Sequence, residues 1–241
     1  MAKNAIVVGA TSGIGRALAQ LLVQNGYTVG ITGRRISLLE EIEVSDPQNY
    51  RIKQFDIDNY DSVSSNLNEL CDMLGGVELL VLSSGTGWRN IDLALEYETA
   101  TVKTNALGYT AVINWTYKYF EAKGSGSMAA ISSIAGIRGF SVSPSYSGSK
   151  AYQMKYLEAL RQKAKTAKND ILITDIRAGF VDTAMGNGAG SFWIASPQEV
   201  AKQILMAIKK GKSIVYVTKR WFFIAWLLRI IPNFIYERIR L

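Results

Sequence analysis

Apolar positions along this chain fall into short runs that alternate with stretches of helical periodicity. Ala5–Gly9, Thr28–Gly33, Arg51–Ile57, Leu79–Ser84, Ser127–Ser133, Ile171–Arg177 and Ser213–Thr218 read as strands. Most are apolar without strict alternation, the pattern of strands covered on both faces. Between them Ile14–Asn25, Ile36–Val44, Tyr60–Leu74, Leu93–Phe120, Tyr146–Lys168 and Pro197–Lys210 read as helices. Seven strands separated by crossovers predict an α/β fold, a doubly wound seven-stranded parallel sheet with helices on both faces. No linker interrupts residues 1–218, which read as one domain, and 219–241 read as an extension of it. Two loops stand out. Gly124-Ser-Gly-Ser reads as a plain turn. Gly186-Asn-Gly-Ala-Gly-Ser comes after the sixth strand at the edge where open α/β sheets hold ligands, and reads either as a mobile substrate lid or as a featureless loop.

Composition narrows the chemistry. Of the 241 residues, 48% are apolar and 20% charged, which suits a globular body. Histidine is absent, which excludes Ser–His and Cys–His mechanisms and histidine metal sites. No metal site is expected, and acid/base work falls to Tyr, Lys, Asp or Glu. The single cysteine, Cys71, rules out an intrachain disulfide and fits a reducing compartment. Met1-Ala-Lys-Asn leads into an apolar run too short for a signal-peptide core, so a cytoplasmic location is expected, peripheral contact with a membrane being left open. The formal charge is +7, and its place matters. Lys209 to Leu241 holds eight Lys/Arg against one acid, Glu237, which leaves the rest of the chain balanced. Charge confined in this way is not a nucleic-acid surface.

The segment Gly9-Ala-Thr-Ser-Gly-Ile-Gly15 comes directly after the first strand and opens a helix. Glycines there let the backbone come close to a pyrophosphate, and a helix N-terminus offers N–H groups and a favourable dipole to that anion. Gly9, Thr11, Ser12, Gly13, Ile14 and Gly15 are therefore candidate dinucleotide contacts. On spacing alone, a glycine-rich turn without a ligand stays open. The second strand ends Thr32-Gly33-Arg34-Arg35, where an NAD site usually places an acid for the ribose 2′-hydroxyl. A guanidinium there can pair with a 2′-phosphate, so NADP(H) is preferred over NAD(H). Arg34 directly succeeds the glycine and is the better candidate, and Arg35 reads as the more solvated of the two. Asp56, with Ile57 beside it, ends the third strand and could accept from the adenine amino group or cap the next helix.

Tyr146-Ser-Gly-Ser-Lys150 puts a phenol and an ammonium four residues apart, on one helix face. A neighbouring cation favours phenolate, so the tyrosine pKa is expected to fall from about 10 toward neutrality. Tyr146 could then give a proton to a carbonyl oxygen or take one from an alcohol. Alone, such a pair is commonly a solvated helix face. Thirteen residues upstream, however, Ser132-Ser133 ends a strand at the same edge, where a hydroxyl could stabilise charge on the substrate oxygen. Asn105 lies in the long helix after the fourth strand.

From about Lys3 to Thr218 the chain resembles the short-chain dehydrogenases/reductases, a Rossmann-like family. The resemblance implies that Gly9–Gly15 is the cofactor motif and that Ser133, Tyr146 and Lys150 are the catalytic Ser, Tyr and Lys. It also implies that Asn105 completes a tetrad by supporting a water in the proton relay, and that Lys150 bonds the nicotinamide ribose. Arg177-Ala-Gly-Phe-Val-Asp-Thr183 is similar to the family's nicotinamide-side segment, with Gly179, Val181 and above all Thr183 as contacts. Two departures are visible. Leu82-Ser83-Ser84-Gly85 stands where the family often has Asn-Asn-Ala-Gly, which makes Ser84 and Gly85 candidate adenine-ribose-side contacts in a variant packing. Ala178 stands where proline is common before Gly179, a change expected to loosen the loop after it. The activity implied is that of an NADPH-dependent carbonyl reductase, or the reverse alcohol oxidation, on a small-molecule substrate. The alternative is a non-catalytic dinucleotide-binding regulator or scaffold.

The segment from Lys219 onward is basic and apolar. Trp221–Leu228 is too short to span a bilayer, and Arg229 and Pro232 break the apolar run beyond it. The segment could lie in a membrane interface, pack across a homodimer or homotetramer, or cover the substrate crevice.

Overall fold

The computed structural model describes residues 3–185 and 192–239. The Gly186–Ser191 stretch, expected to be a lid or a loop, lies outside the described residues. Seven strands form one sheet: β1 Lys3–Val8, β2 Tyr27–Gly33, β3 Tyr50–Gln54, β4 Leu79–Leu82, β5 Ser125–Ser133, β6 Asp170–Ala178 and β7 Ile214–Val217. Their order is β3-β2-β1-β4-β5-β6-β7, and every neighbouring pair is parallel. All carboxyl ends therefore share one edge. The chain reverses its direction of travel across the sheet between β1 and β4, which opens a crevice at that edge.

The absence of polar alternation has a direct cause. Ala5 and Val7 of β1 point into one core, with α1 (Gly13–Gln24), α2 (Ile36–Ser45) and α7 (Pro197–Lys209) packed over it. Ile6 and Val8 point into a second core under α3 (Tyr60–Leu74), α5 (Tyr109–Lys123) and α6 (Pro144–Thr166). Both faces of the central strands are dry, so both sets of side chains are apolar. Each fully buried Ile or Val contributes about 1.5–3 kcal/mol relative to an exposed one.

Two helices depart from expectation. Leu93–Phe120 is not one helix. It divides into α4 (Leu95–Val102), a π-helical stretch Lys103–Gly108 and α5. A Cβ on Gly108 would stand 2.6 Å from the Ile57 carbonyl oxygen, so the chain passes close to the loop after β3 there. A π-bulge inserts one residue without breaking the helix, and such bulges often mark functional sites. In α6 the start moves back to Pro144, whose fixed φ suits a first helical position. Tyr146 thus sits in the first turn of that helix, at the crevice. Beyond β7, α8 (Trp221–Ile230) and α9 (Asn233–Tyr236) lie on the same edge, separated by Pro232.

Candidate active site

The glycine loop leaves β1 through Gly9, whose φ of +89° favours glycine. A Cβ there would stand 2.7 Å from the Ser84 nitrogen. A Cβ on Gly15 would overlap the Gly9 carbonyl oxygen, so the loop folds flat against the start of α1. Ser12 precedes that helix without capping it through its side chain, and no acid occupies its first turn. The unpaired N–H groups of the first turn and the positive end of the dipole therefore face the crevice, as a pyrophosphate needs. This flat, uncapped loop fits a dinucleotide.

Both arginines after β2 are exposed, and Arg35 is the one bonded to the glycine loop. Arg35 Nη2 donates to Thr11 Oγ1 at 2.6 Å and to Ser12 Oγ at 2.9 Å, so it is this guanidinium that lies on the glycine loop. Arg34 has a side chain that is 70% exposed and stands 3.8 Å from Asp56. The reason is tertiary. Gly33 packs on Thr11, and Arg35, extended at the N-cap of α2, turns back over the loop. Asp56 does not cap α3; Asn59 holds that position, and Asp56 Oδ1 accepts from the Asp58 N–H within its own turn. The Ile57 side chain is buried in the second core, leaving only its backbone for any ligand role.

Ser83 and Ser84 both donate their N–H to the Val8 carbonyl, which docks the variant Leu82–Gly85 segment beneath the glycine loop. A Cβ on Gly85 would meet Asn105 Oδ1 at 3.4 Å and Lys150 Nζ at 3.5 Å, so this residue borders the candidate catalytic group. Thr183 presses its methyl against Gly13, and its hydroxyl donates to the Val181 carbonyl at 3.3 Å. Val181 is buried in the first core. Gly179 donates its N–H to the Val217 carbonyl. The segment after β6 is therefore brought to the glycine loop chiefly through Thr183.

Ser133 ends β5, and its Oγ donates to the Ala178 carbonyl and accepts from the Ala135 N–H, each at 3.2 Å. Tyr146 faces it from the first turn of α6, with Gly87 against its ring. Lys150, one turn further on, carries its Nζ 5.6 Å from the centre of that ring. The pKa expectation needs correction. Burial pushes the Tyr146 phenol above its ordinary value, opposed by a hydrogen bond with Ser133, and Lys150 is not among the causes. Lys150 itself is only 4% exposed, and burial pulls its pKa down to about 8, with the buried carboxylate of Asp175 acting in the other direction. A partly discharged ammonium lowers a neighbour's pKa less than a full one.

Asn105, on the π-helical stretch, is fully buried. Its Oδ1 accepts from the Thr86 N–H at 2.9 Å, and its Nδ2 donates to the Thr86 carbonyl at 2.7 Å and to Ser149 Oγ at 3.0 Å. Its backbone carbonyl accepts from Gln153 Nε2 at 2.9 Å, and Gln153 Oε1 accepts from Lys150 Nζ at 3.0 Å. Lys150 also donates to the Ile131 carbonyl at 3.0 Å. Gln153, 1% exposed, thus links Lys150 directly to the Asn105 carbonyl. Sequence reasoning missed it, although its place three residues after Lys150 puts both on one helix face. Asp175 was missed too. It is fully buried, accepts from Ser132 and pairs with Arg177 Nε at 2.7 Å.

The C-terminal segment reaches this site. Trp221, 1% exposed, lies on Gly179 so closely that a Cβ there would overlap its indole. Its ring also packs on Phe180, Phe192 and Trp193. Arg138, in the loop after β5, binds α8 and α9 together. It donates to the carbonyls of Leu228 at 2.9 Å and Ile231, and to Asn233 Oδ1 at 2.8 Å, and it stands 4.9 Å from the Tyr236 ring centre. Tyr236 donates back to the Gly139 carbonyl at 2.8 Å.

Comparison with known proteins agrees with this geometry. The family model described as short chain dehydrogenase matches residues 3–191. The chain belongs to that family and is an oxidoreductase built to bind NAD(P). Its relatives include an uncharacterised oxidoreductase of Mycobacterium tuberculosis, 25% identical over 222 residues, covering 85% of this chain and 84% of the relative. Another is a dehydrogenase/reductase SDR family protein 7-like of Dictyostelium discoideum, 28% identical over 233 residues, covering 87% and 72%. Among solved structures, a short-chain dehydrogenase from Streptomyces avermitilis superposes with a TM-score of 0.81 at 22% identity, covering 95% of this chain and 92% of that one. An actinorhodin polyketide ketoreductase with NADPH gives 0.80 at 22%, covering 90% and 95%.

Proposed function

We propose that this oxidoreductase uses NADP(H) to reduce a ketone or aldehyde, with Tyr146 as the proton donor. The observation that carries the reading is one cluster at the carboxyl edge: Ser133 facing Tyr146, and a buried Lys150 one turn beyond, all beside the glycine loop. When bound, the dinucleotide supplies hydride from its nicotinamide C4. Thr183 and Gly179 would line the nicotinamide side, and Gly9–Gly15 with the N-terminus of α1 would hold the pyrophosphate. Ser133 turns its hydroxyl from the Ala178 carbonyl to the substrate oxygen and holds it in place. The Tyr146 phenolic proton passes to that oxygen as the carbonyl carbon becomes tetrahedral, and the Lys150 ammonium stabilises the phenolate left behind. Arg35 on the glycine loop and Arg34 at the rim offer two guanidiniums to a 2′-phosphate; no acid directly follows β2, and the Asp56 carboxylate stands 3.8 Å from Arg34.

NADPH oxidation is to be followed against a panel of steroids, 3-oxoacyl thioesters, sugars and quinones. We expect at least one to be turned over, NADPH to be used at least about tenfold better than NADH, and Tyr146→Phe to lower kcat by about 10²–10⁴-fold with NADPH still bound. Arg34→Ala and Arg35→Ala are expected to erode the preference for NADPH. Equal use of the two cofactors would refute the arginine assignment. Tight NADPH binding without turnover on any substrate would favour a dinucleotide-binding regulator instead.

The chain is proposed to form a homodimer or homotetramer. A groove of about 420 Å³ on the outer face of the π-helical stretch, α5 and α6, lined by Tyr60, Leu107 and Tyr152, is the surface that favours it. Light scattering on Leu107→Asp tests this: a particle mass equal to that of the parent chain would place the contact elsewhere.

A further inference from the structure

The outer face of α8 has no place in the chemistry above, and it is unusual. Trp221, Ala225 and Leu228, spaced four and three residues apart, form the inner stripe and are buried on the domain. The opposite stripe is apolar as well: Phe222, Phe223, Trp226, Leu227 and Ile230 are between 46 and 69% exposed. Phe234, Ile235 and Ile239 continue the same surface beyond Pro232. A helix at a water-facing surface turns polar residues outward, and one that is apolar all round has a second apolar neighbour. The inner stripe is already packed and held by the Arg138 bonds, so this chain has no further use for the outer one.

We propose that this face docks on the surface of a lipid bilayer bearing anionic headgroups, which brings the mouth of the crevice to the membrane. Charge points to that occupant. Lys219, Arg220, Arg229 and Arg238 are exposed along the segment, against the single acid Glu237. Lys209, Lys210 and Lys212 lie at the amino-terminal edge of the sheet, before β7, and belong to a different surface. Cations rimming exposed Trp and Phe are the composition of an interfacial helix. The same charge disfavours a second copy, since a two-fold contact sets like charges against one another. Among the described residues no helix is long and apolar enough to cross a membrane, so the helix lies along the surface. The apolar rim extends from the tail to the crevice through Phe192, Trp193 and Ile194, each at least 44% exposed. The docking holds whether or not the crevice reduces a carbonyl.

The test is flotation of the full chain with phosphatidylcholine vesicles, plain or with a third phosphatidylglycerol. It is paired with the double variant Phe223→Asp/Trp226→Asp, with circular dichroism and NADPH binding as controls for folding. We expect the parent to float with anionic vesicles, to do so less as salt rises, and to shift its tryptophan emission to the blue. The folded double variant should bind at least about tenfold more weakly. A folded parent that stays with the protein fraction at low salt overturns the proposal. So does binding to plain and anionic vesicles alike, or a concentration-dependent dimer that the double variant abolishes without any lipid binding. Each readout is independent of turnover, so a failure here leaves the enzyme reading standing, and the reverse.

Discussion

At the scale of single residues, Lys150 is the group whose protonation matters most. Its pKa of about 8 lies well below the usual 10.5 because burial disfavours the charged form. The proposed carbonyl reduction would leave Tyr146 as phenolate, which needs the ammonium. We therefore expect the reduction rate to be highest below pH 8 and to decline as pH rises through that value. A rate that climbs through pH 8 would contradict the role given to Lys150. Gln153 provides the sharper check, because it accepts a hydrogen bond from the ammonium and reacts with nothing. Gln153→Leu removes an acceptor and should move the midpoint down; Gln153→Glu adds a negative charge and should move it up, each by roughly one unit. A residue that merely fills space would alter rate or stability and leave the midpoint in place. Stability responds to the same group. Between about pH 8 and 10.5 the unfolded chain holds the Lys150 proton and the folded chain releases it, so folding gains as pH rises. Above pH 9 the Cys71 thiol, pushed up to about 11 by burial, acts the opposite way. Urea denaturation should thus show a gain of about 1 kcal/mol from this group between pH 8 and 9.

At the scale of elements, the π-helical stretch is the junction that sets the proposed catalytic residues in register. Asn105 ties it to the loop after β4 through the backbone N–H and carbonyl of Thr86, and to α6 through Ser149. Asn105→Ala leaves buried backbone groups unpaired and is expected to cost about 2–5 kcal/mol in thermal or urea unfolding. An unchanged melting temperature would show that water replaces the amide. This junction was the least legible part of the sequence. The glycine loop and the Tyr146–Lys150 pair could be read directly, because each is a local spacing on a strand end or a helix face. The strands themselves could be read from runs of apolar residues. The break at Lys103–Gly108 depends on the approach of Gly108 to Ile57, far away in sequence, and helical periodicity runs through it undisturbed. The same holds for Arg35, which reaches the glycine loop only because Gly33 packs on Thr11, and for Gln153, whose partner carbonyl belongs to another element. Arg138 gave no signal at all, since its partners lie about ninety residues later.

At the scale of the whole molecule, two dry cores hold the sheet while the carboxyl edge carries the proposed cofactor and substrate site. Three loops and the C-terminal helices meet there, and Arg138 is the clamp between them. Arg138→Ala should leave the sheet and NADPH affinity nearly unchanged but release α8 and α9, seen as faster hydrogen exchange over residues 222–236. Apolar substrates should then show a raised KM with kcat less affected. Exchange that stays as slow as in the parent would mean that Trp221 alone holds the segment. The molecule's charge is also divided by the sheet, with one basic group at each end of β7, so bulk charge by itself is a poor guide to where an anion binds.

The placement of α9 beside Gly139 has a practical consequence for handling the protein. β1 starts at the edge remote from the crevice, whereas Tyr236 of α9 is bonded to Gly139 at the carboxyl edge. A fusion partner or immobilising tag joined ahead of Lys3 hangs from the inert end of the sheet. The same tag joined beyond α9 leaves from the crevice's own edge, and an assay done in that form would report the tag as much as the enzyme.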